Sequence, residues 1–312
     1  MALAVFSARD VYAAVDPAEA HRAVRDAFVA YARGEWSMPP KVYVTNYPAG
    51  DFRAMPGIGG GHALLKWVTS FPGNPSRGLP TVTGLVLLSD AEDGRLLAVL
   101  DAGAVTALRT AAAAVLAADA LAREDASSFA VVGCGVNGAE TARMLVAHGR
   151  RPVLWDVEAG RREAVAERVG ADVAPSAEEA LACDVVATVT PGYEVLYGEG
   201  SLRPGQHVSL MGADGPGKAE VAIEELRRAR LFCDDWEQAS HGGELAGAVA
   251  AGAVTRADVT ELGAVLTGAA EGRPSAEDVT LFDSTGLAVQ DLAVAKAAYV
   301  KAGELDLVTL EL

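Results

Sequence analysis

Of the 26 basic residues in this chain only five are lysines, at positions 41, 66, 218, 296 and 301, and the other 21 are arginines. An ammonium can shed its proton when desolvated, whereas a guanidinium cannot. The few lysines are therefore the first candidates for proton transfer. Lys66 sits in the apolar run Ala63-Leu64-Leu65-Lys66-Trp67-Val68, where burial would favour its neutral form and suit it to general acid–base work. A strand lysine turned to water is the equal alternative. Lys41, after Pro39-Pro40, and Arg53, ahead of Met55-Pro56, are cations able to clamp a carboxylate, or else solvated strand positions. Asp214 lies in Gly212-Ala213-Asp214-Gly215-Pro216-Gly217-Lys218, directly after an apolar run. That places it at the carboxyl end of a parallel strand, where doubly wound sheets bind ligands; an ordinary turn would carry the same residues.

Gly133-Cys134-Gly135-Val136-Asn137-Gly138 matches G-x-G-x-x-G between a strand-like run, Phe129–Val132, and a helix-like one. Gly133 permits the tight turn, Gly135 lets backbone approach a pyrophosphate, and Gly138 lets helix and strand pack closely. Asp156 ends the next apolar run at about the 20-residue spacing expected of an acid that accepts from ribose hydroxyls and repels a 2′-phosphate. NAD is thus the expected cofactor. Five histidines without H-x-x-x-H spacing argue against a metal site, and no G-x-S-x-G elbow is present.

Two kinds of element must position these residues. Asp16–Arg33 has helical apolar spacing. Short alternating runs follow (Lys41–Asn46, Phe52–Met55, Leu64–Phe71, Thr81–Ser89, Leu96–Asp101), bounded by Pro and Gly, which predicts an antiparallel sheet. Ala104–Leu121 reads as one small-residue helix. Beyond Asp125, Phe129–Val132, Val153–Asp156, Val185–Thr190, Val208–Met211, Leu231–Cys233 and Val279–Phe282 read as strands. Between most of them lie helical stretches Ala139–His148, Ala159–Val169, Glu178–Leu181 and Val221–Ala229, a parallel α/β pattern. Ser176 and Glu179 fit a capping box, and Leu287–Ala302 reads as a final amphipathic helix.

With 312 residues, two domains are expected. Hydrophobic residues at 51 % and charged residues at 22 % exclude disorder. A net charge of -16 argues against a nucleic-acid partner. Three widely spaced cysteines suit a reducing compartment. Without a basic n-region at the start, or a charge-free run of about 18 apolar residues, no signal peptide or membrane span is expected, so the location is expected to be cytoplasmic.

With Met38-Pro39-Pro40-Lys41, Arg53-Ala54-Met55-Pro56, Leu65-Lys66-Trp67-Val68, Leu108-Arg109-Thr110, Gly133-Cys134-Gly135, Gly212 to Lys218 and Phe282-Asp283-Ser284-Thr285-Gly286 in view, the chain resembles the ornithine cyclodeaminase/mu-crystallin family over nearly its whole length. Within it, the chain looks most like the archaeal-type alanine dehydrogenases. The resemblance implies an α/β protein with a Rossmann doubly wound sheet and a smaller α+β domain for substrate and dimerisation. That domain is discontinuous, from 1–113 and 288–312, around an NAD-binding domain from 114–287. A homodimer is implied. So is reversible oxidative deamination of a small L-amino acid, alanine first, to a 2-oxo acid, ammonium and NADH. By the same resemblance Thr81, Arg109, Val136, Asn137, Asp156, Thr190, Lys218 and Ser284 join the glycines in contacting the dinucleotide. Lys41, Arg53 and Lys66 meet the substrate, with Lys66 and Asp214 catalytic. Val136-Asn137 departs from the small residue or threonine followed by glutamine that relatives often carry. The alternatives are ornithine or lysine cyclodeamination with NAD used catalytically, and nucleotide-dependent binding without turnover, as described for mu-crystallin.

Overall fold

The structure, a computed structural model, describes residues 2–213, 215 and 217–311. In chain order it opens with β1 (Ala2–Phe6), α1 (Ala8–Ala14), α2 (Pro17–Ala32), β2 (Val42–Asn46), β3 (Gly50–Gly59), β4 (His62–Ser70), β5 (Val82–Asp90), β6 (Leu96–Asp101) and α3 (Ala102–Leu121). Next come β7 (Phe129–Val132), α4 (Val136–Ala147), β8 (Pro152–Trp155), α5 (Ala159–Val169), β9 (Asp172–Val173), α6 (Ala177–Leu181), β10 (Val185–Thr188) and β11 (His207–Leu210). After these are α7 (Ile223–Leu226), β12 (Arg230–Cys233), α8 (Trp236–Gly242), α9 (Ala246–Ala250), β13 (Val259–Glu261), α10 (Leu262–Leu266) and β14 (Thr280–Asp283). The chain ends with α11 (Ala288–Val300) and β15 (Val308–Glu311). Two compact units result, Met1–Arg109 with Leu287–Leu312, and Thr110–Gly286.

The first unit is built on a sheet in the order β15-β1-β6-β5-β4-β3-β2. The sheet is mixed rather than antiparallel, because β1 runs parallel to β6 while β2 to β6 form antiparallel neighbours. Its edge comes from the two chain ends, which carry too few residues to show a period. β3 is longer than Phe52–Met55, since Pro56 and the glycines after it stay in the strand. At Gly59 an added Cβ would meet the Trp36 ring at 2.2 Å, so glycine here serves close approach rather than a turn. Asp16 caps α2 by accepting from the Glu19 amide, with Pro17 in the first turn. α11 packs on α2, β3, β4 and β5. It is buried nearly all round, including Gln290 and Asp291, rather than along one face as an amphipathic pattern predicts.

The second unit is a parallel sheet in the order β13-β12-β14-β11-β10-β7-β8-β9. β7 pairs with β8 on one side and β10 on the other. Connections therefore leave β7 in one direction and come back through β10 in the other, and right-handed crossovers put the helices on both faces. Ser176 accepts from the Glu179 amide at the start of α6. The expected helix at Val221–Ala229 is only the single turn α7. α3 is 20 residues long, with mean hydropathy 1.5 over its most apolar window, enough by length and composition to cross a membrane, yet 83 % of that window is buried. It is a core helix, and Asp119 near its end does not interrupt it.

Candidate active site

Along β3 the buried positions alternate, which puts Asp51, Arg53 and Met55 on one face. On β4 the same face carries Leu64, Lys66 and Val68, while Leu65 and Trp67 point the other way. Lys66 pairs with Met55 on β3 and Val86 on β5. It therefore occupies a central strand, is 1 % exposed, and does not turn to water. Its Nζ donates to Asp291 Oδ1 on α11 at 2.9 Å. Arg109, at the middle of α3, reaches the same oxygen with Nε at 3.4 Å. Burial pulls the Lys66 ammonium down from 10.5 to about 8, against the attraction of Asp291 and with help from the positive charges of Arg109 and Arg53. A lysine so placed exchanges its proton near neutrality.

Arg53 is buried and held by Asp51, with Nε to Oδ1 at 2.6 Å and Nη2 to Oδ2 at 3.2 Å. Its guanidinium also lies 5.3 Å from the centre of the Tyr43 ring on β2. Lys41 stands half-buried just before β2, and Thr81 just before β5. Asp51 and Asp291 were not singled out from the sequence. A strand places Asp51 beside Arg53 at i, i+2, and an acid inside the mostly apolar Ala288–Ala295, where Gln290 is the other polar residue, was a signal for Asp291.

In the second unit the turn after β7 is shaped as the fingerprint requires. Gly133 has φ +99°, and a Cβ on Gly138 would stand 1.8 Å from the Gly133 carbonyl oxygen. Gly135 is the N-cap of α4 without a side-chain cap, and the space beside it is open. Val136 is 70 % exposed, and Asn137 is half-buried. The first N–H groups of a twelve-residue helix are thus left for an anion. Asp156 Oδ2 accepts from the Cys134 amide at 2.7 Å, and Oδ1 from the Glu158 amide at 2.9 Å. α5 brings Arg161 Nη1 to 3.4 Å of both carboxylate oxygens and Arg162 onto the Trp155 ring, 4.1 Å from its centre. Five or six residues of sequence separation are thus undone by the start of a helix. Burial pushes the Cys134 thiol up to about 12, so it is inert as a nucleophile. These features fit a dinucleotide: a bare helix terminus, a glycine-cornered approach and an acid at the end of the second strand.

Asp214 lies outside the described residues; Ala213 and Gly215 on either side are buried. Six residues further along the chain stands Glu220, which is buried. That carboxylate accepts from Thr188 Oγ1 and Thr190 Oγ1, both at 2.6 Å, and from the Gly212 amide at 3.3 Å. Glu244 accepts from the amides of Glu220 and Val221. Burial pushes the Glu244 carboxyl up to about 7, and raises Glu220 as well. Lys218 Nζ lies 5.3 Å from the centre of the Tyr193 ring. Ser284 is buried and donates to Asp234 at 3.3 Å.

A parallel sheet whose order reverses beside a glycine-cornered turn defines an α/β fold of Rossmann type, here paired with a second, mixed-sheet unit. A sequence model of the ornithine cyclodeaminase/mu-crystallin family matches residues 2–305. The chain belongs to that family. It is 43 % identical to an alanine dehydrogenase of Archaeoglobus fulgidus over 96 % of this chain and 94 % of that one. A solved archaeal alanine dehydrogenase dimer with bound NAD superposes with a TM-score of 0.94 at 40 % identity, covering 100 % of this chain and 99 % of that one. The Δ1-pyrroline-2-carboxylate reductase of Thermococcus litoralis, solved with NADH and L-proline, gives 0.92 at 26 % identity, with 99 % and 100 % covered.

Proposed function

We propose that this protein is an NAD-dependent oxidoreductase that reversibly deaminates a small L-amino acid, alanine first, to the 2-oxo acid and ammonium. The observation that carries this reading is the group of buried Arg53 and Lys66 with half-buried Arg109 in the first unit, with Lys66 at about 8. Such a group attracts one carboxylate and can move one proton. The 43 % identity to an alanine dehydrogenase supports the choice of substrate.

When bound, NAD supplies a hydride acceptor for amino-acid oxidation and a hydride donor for the reverse. The backbone of Gly133 to Gly138 and the start of α4 hold its pyrophosphate, and Asp156 accepts from the adenosine ribose; Thr81, Thr190, Lys218 and Ser284 are the further cofactor residues of this reading. Arg53, its fork oriented by Asp51, holds the substrate carboxylate with Lys41. Arg109 adds positive field. Lys66 takes a proton from the substrate nitrogen or the attacking water, and Asp214 orients that water. Orientation of this kind contributes on the order of 7 to 11 kcal/mol in favourable cases.

The same charges disfavour ornithine or lysine as substrate, because a distal ammonium would meet three cations while Asp51 and Asp291 are engaged by Arg53 and Lys66. Three free cysteines, two of them buried, suit the cytoplasm. A homodimer is also part of the reading. Trp67 (42 % exposed) and Leu85 (52 % exposed) pair across β4 and β5 on the sheet face opposite Lys66, and Phe52 stacks on Trp67. An apolar patch of this kind suits a second copy. Sedimentation at micromolar concentration should give twice the chain mass, and Trp67→Glu should shift it toward the monomer.

The deciding experiment follows nicotinamide absorbance with NAD and L-amino acids, then with NADH, ammonium and 2-oxo acids. A signal with alanine and pyruvate supports the reading. Turnover of NADH with a cyclic imine alone moves the substrate to the imino acids of the reductase relatives. Ammonia released from ornithine without net NADH makes the chain a cyclodeaminase.

A further inference from the structure

Lys66 and Asp291 form an ion pair between β4 and α11, 225 residues apart in the chain, with side chains 1 % and 0 % exposed. The pair is asymmetric. Asp291 Oδ1 accepts a hydrogen bond from Lys66 Nζ and lies 3.4 Å from Arg109 Nε, a charge contact without a hydrogen bond, while Asp291 Oδ2, also buried, accepts no hydrogen bond among the described residues. A carboxylate that only stabilised the fold would be expected to use both oxygens, since an unpaired buried lone pair is costly. Here one oxygen is shared by two cations, and the helix that supplies it packs against β3, β4 and β5, the strands around Lys66.

We propose that Asp291 is the positioning residue of the site: it fixes Lys66 Nζ on the inner face of the sheet and sets the pH at which that nitrogen gives up its proton. The proposal rests on the reading of Lys66 as the proton carrier. The charges that act on Nζ come from three elements: Asp291 on α11 holds the proton on, and Arg109 on α3 and Arg53 on β3 drive it off. Burial lowers the basicity of Lys66, and the charge on the single shared oxygen restores part of it. Sharing that oxygen with Arg109 keeps the restoration partial. Asp291 thus acts through Lys66 and does not itself touch substrate.

The small number of lysines makes a direct test practical. With lysine labelled with carbon-13 at Cε, the spectrum has five signals, and the Lys66 signal is the one lost in Lys66→Arg. In the parent it should titrate near 8. In Asp291→Asn it should titrate about 1 to 3 pH units lower, the usual effect of losing an opposite charge at this range. The rise of kcat for deamination with pH should move down by the same amount while the Kd for NADH stays within twofold of the parent. An Asp291→Asn protein that melts as the parent does and titrates at the parent's midpoint overturns the proposal. Should that variant not fold, Asp291→Glu decides. It keeps the charge but displaces Nζ, so the Lys66 signal should stay near 8 while kcat falls about 10- to 100-fold; parental kcat there overturns the proposal. If the lysine titrates as described but no amino acid or 2-oxo acid is turned over, the dehydrogenase reading fails and the role of Asp291 toward Lys66 stands.

Discussion

In the second unit the candidate chemistry is carried by backbone drawn from one short stretch, Gly133 to Gly138, with Asp156 one strand further on. In the first unit it is carried by buried side chains drawn from β3, β4, α3 and α11. The difference is one of tolerance. A helix terminus and a glycine turn bind an anion through N–H groups that every residue possesses, so the site survives most side-chain changes and fails only where a Cβ cannot fit. An ion pair sealed from water depends on single atoms, and loss of either partner leaves an uncompensated charge.

Substitutions at the two sites should therefore fail differently. The largest effect is expected from Lys66→Arg. Because a guanidinium does not deprotonate, deamination should fall about 10²- to 10⁴-fold, while NADH binding, followed by fluorescence, remains. Near-normal turnover would remove Lys66 from the chemistry and the contrast with it. In the parent, Lys66 acting as a base should make deamination rise as pH climbs through about 8, and reductive amination, which needs the ammonium, should fall over the same range.

Gly138→Ala is the opposite case. Its methyl would collide with the Gly133 carbonyl oxygen. Displacing the turn should cost about 1–3 kcal/mol and weaken NADH about 5- to 100-fold, with kcat at saturating cofactor largely kept. Loss of kcat without loss of affinity would blur the distinction between backbone and side-chain sites.

Asp156→Ser tests the carboxylate that accepts from the Cys134 amide of the nucleotide turn. Removing a charged acceptor should weaken NAD by about 1.5–3 kcal/mol, or roughly 10- to 100-fold, measured as KM. The phosphorylated cofactor should gain, since Arg161 stands beside that carboxylate and Arg162 bonds the Asp156 carbonyl. Unchanged preference for NAD would mean that the ribose is recognised elsewhere.

The smallest effect concerns stability. The Glu244 carboxyl is held at about 7 against an ordinary 4.5. The unfolded chain loses this proton first, so Glu244 lowers stability progressively as pH rises from about 4.5 to 7 and by a constant amount above that. Glu244→Gln keeps Oε1 for the Glu220 and Val221 amides. It should be about 1–3 kcal/mol more stable than the parent at pH 8 and close to it at pH 4.5. A gain of equal size at both pH values would show that the effect is not titration.

The parallel sheet was legible because each of its signals is local. Phe129–Val132 and Ala159–Val169 fall where their runs predict, since a buried parallel strand is a continuous apolar run and a helix shows its period within a few turns. The glycine turn was legible for the same reason: its constraint, room for a backbone, acts within six residues. α8, α9 and α10 were not legible, being one or two turns long and held by tertiary packing. The parallel pairing of β1 with β6 was also hidden, because register between distant segments leaves no local trace.

What the amino-acid sequence determined by itself was the α/β pattern, the dinucleotide turn and the short list of lysines worth suspecting. Only the tertiary structure decided that Lys66 faces inward, because a strand's alternation defines two faces but not which of them is covered. It also decided that Asp51 orients Arg53, that Arg161 folds back onto Asp156, and that Asp291 meets Lys66. These are electrostatic contacts, and their strength depends on distance and on exclusion of water. Both quantities exist only once elements far apart in the chain have packed together.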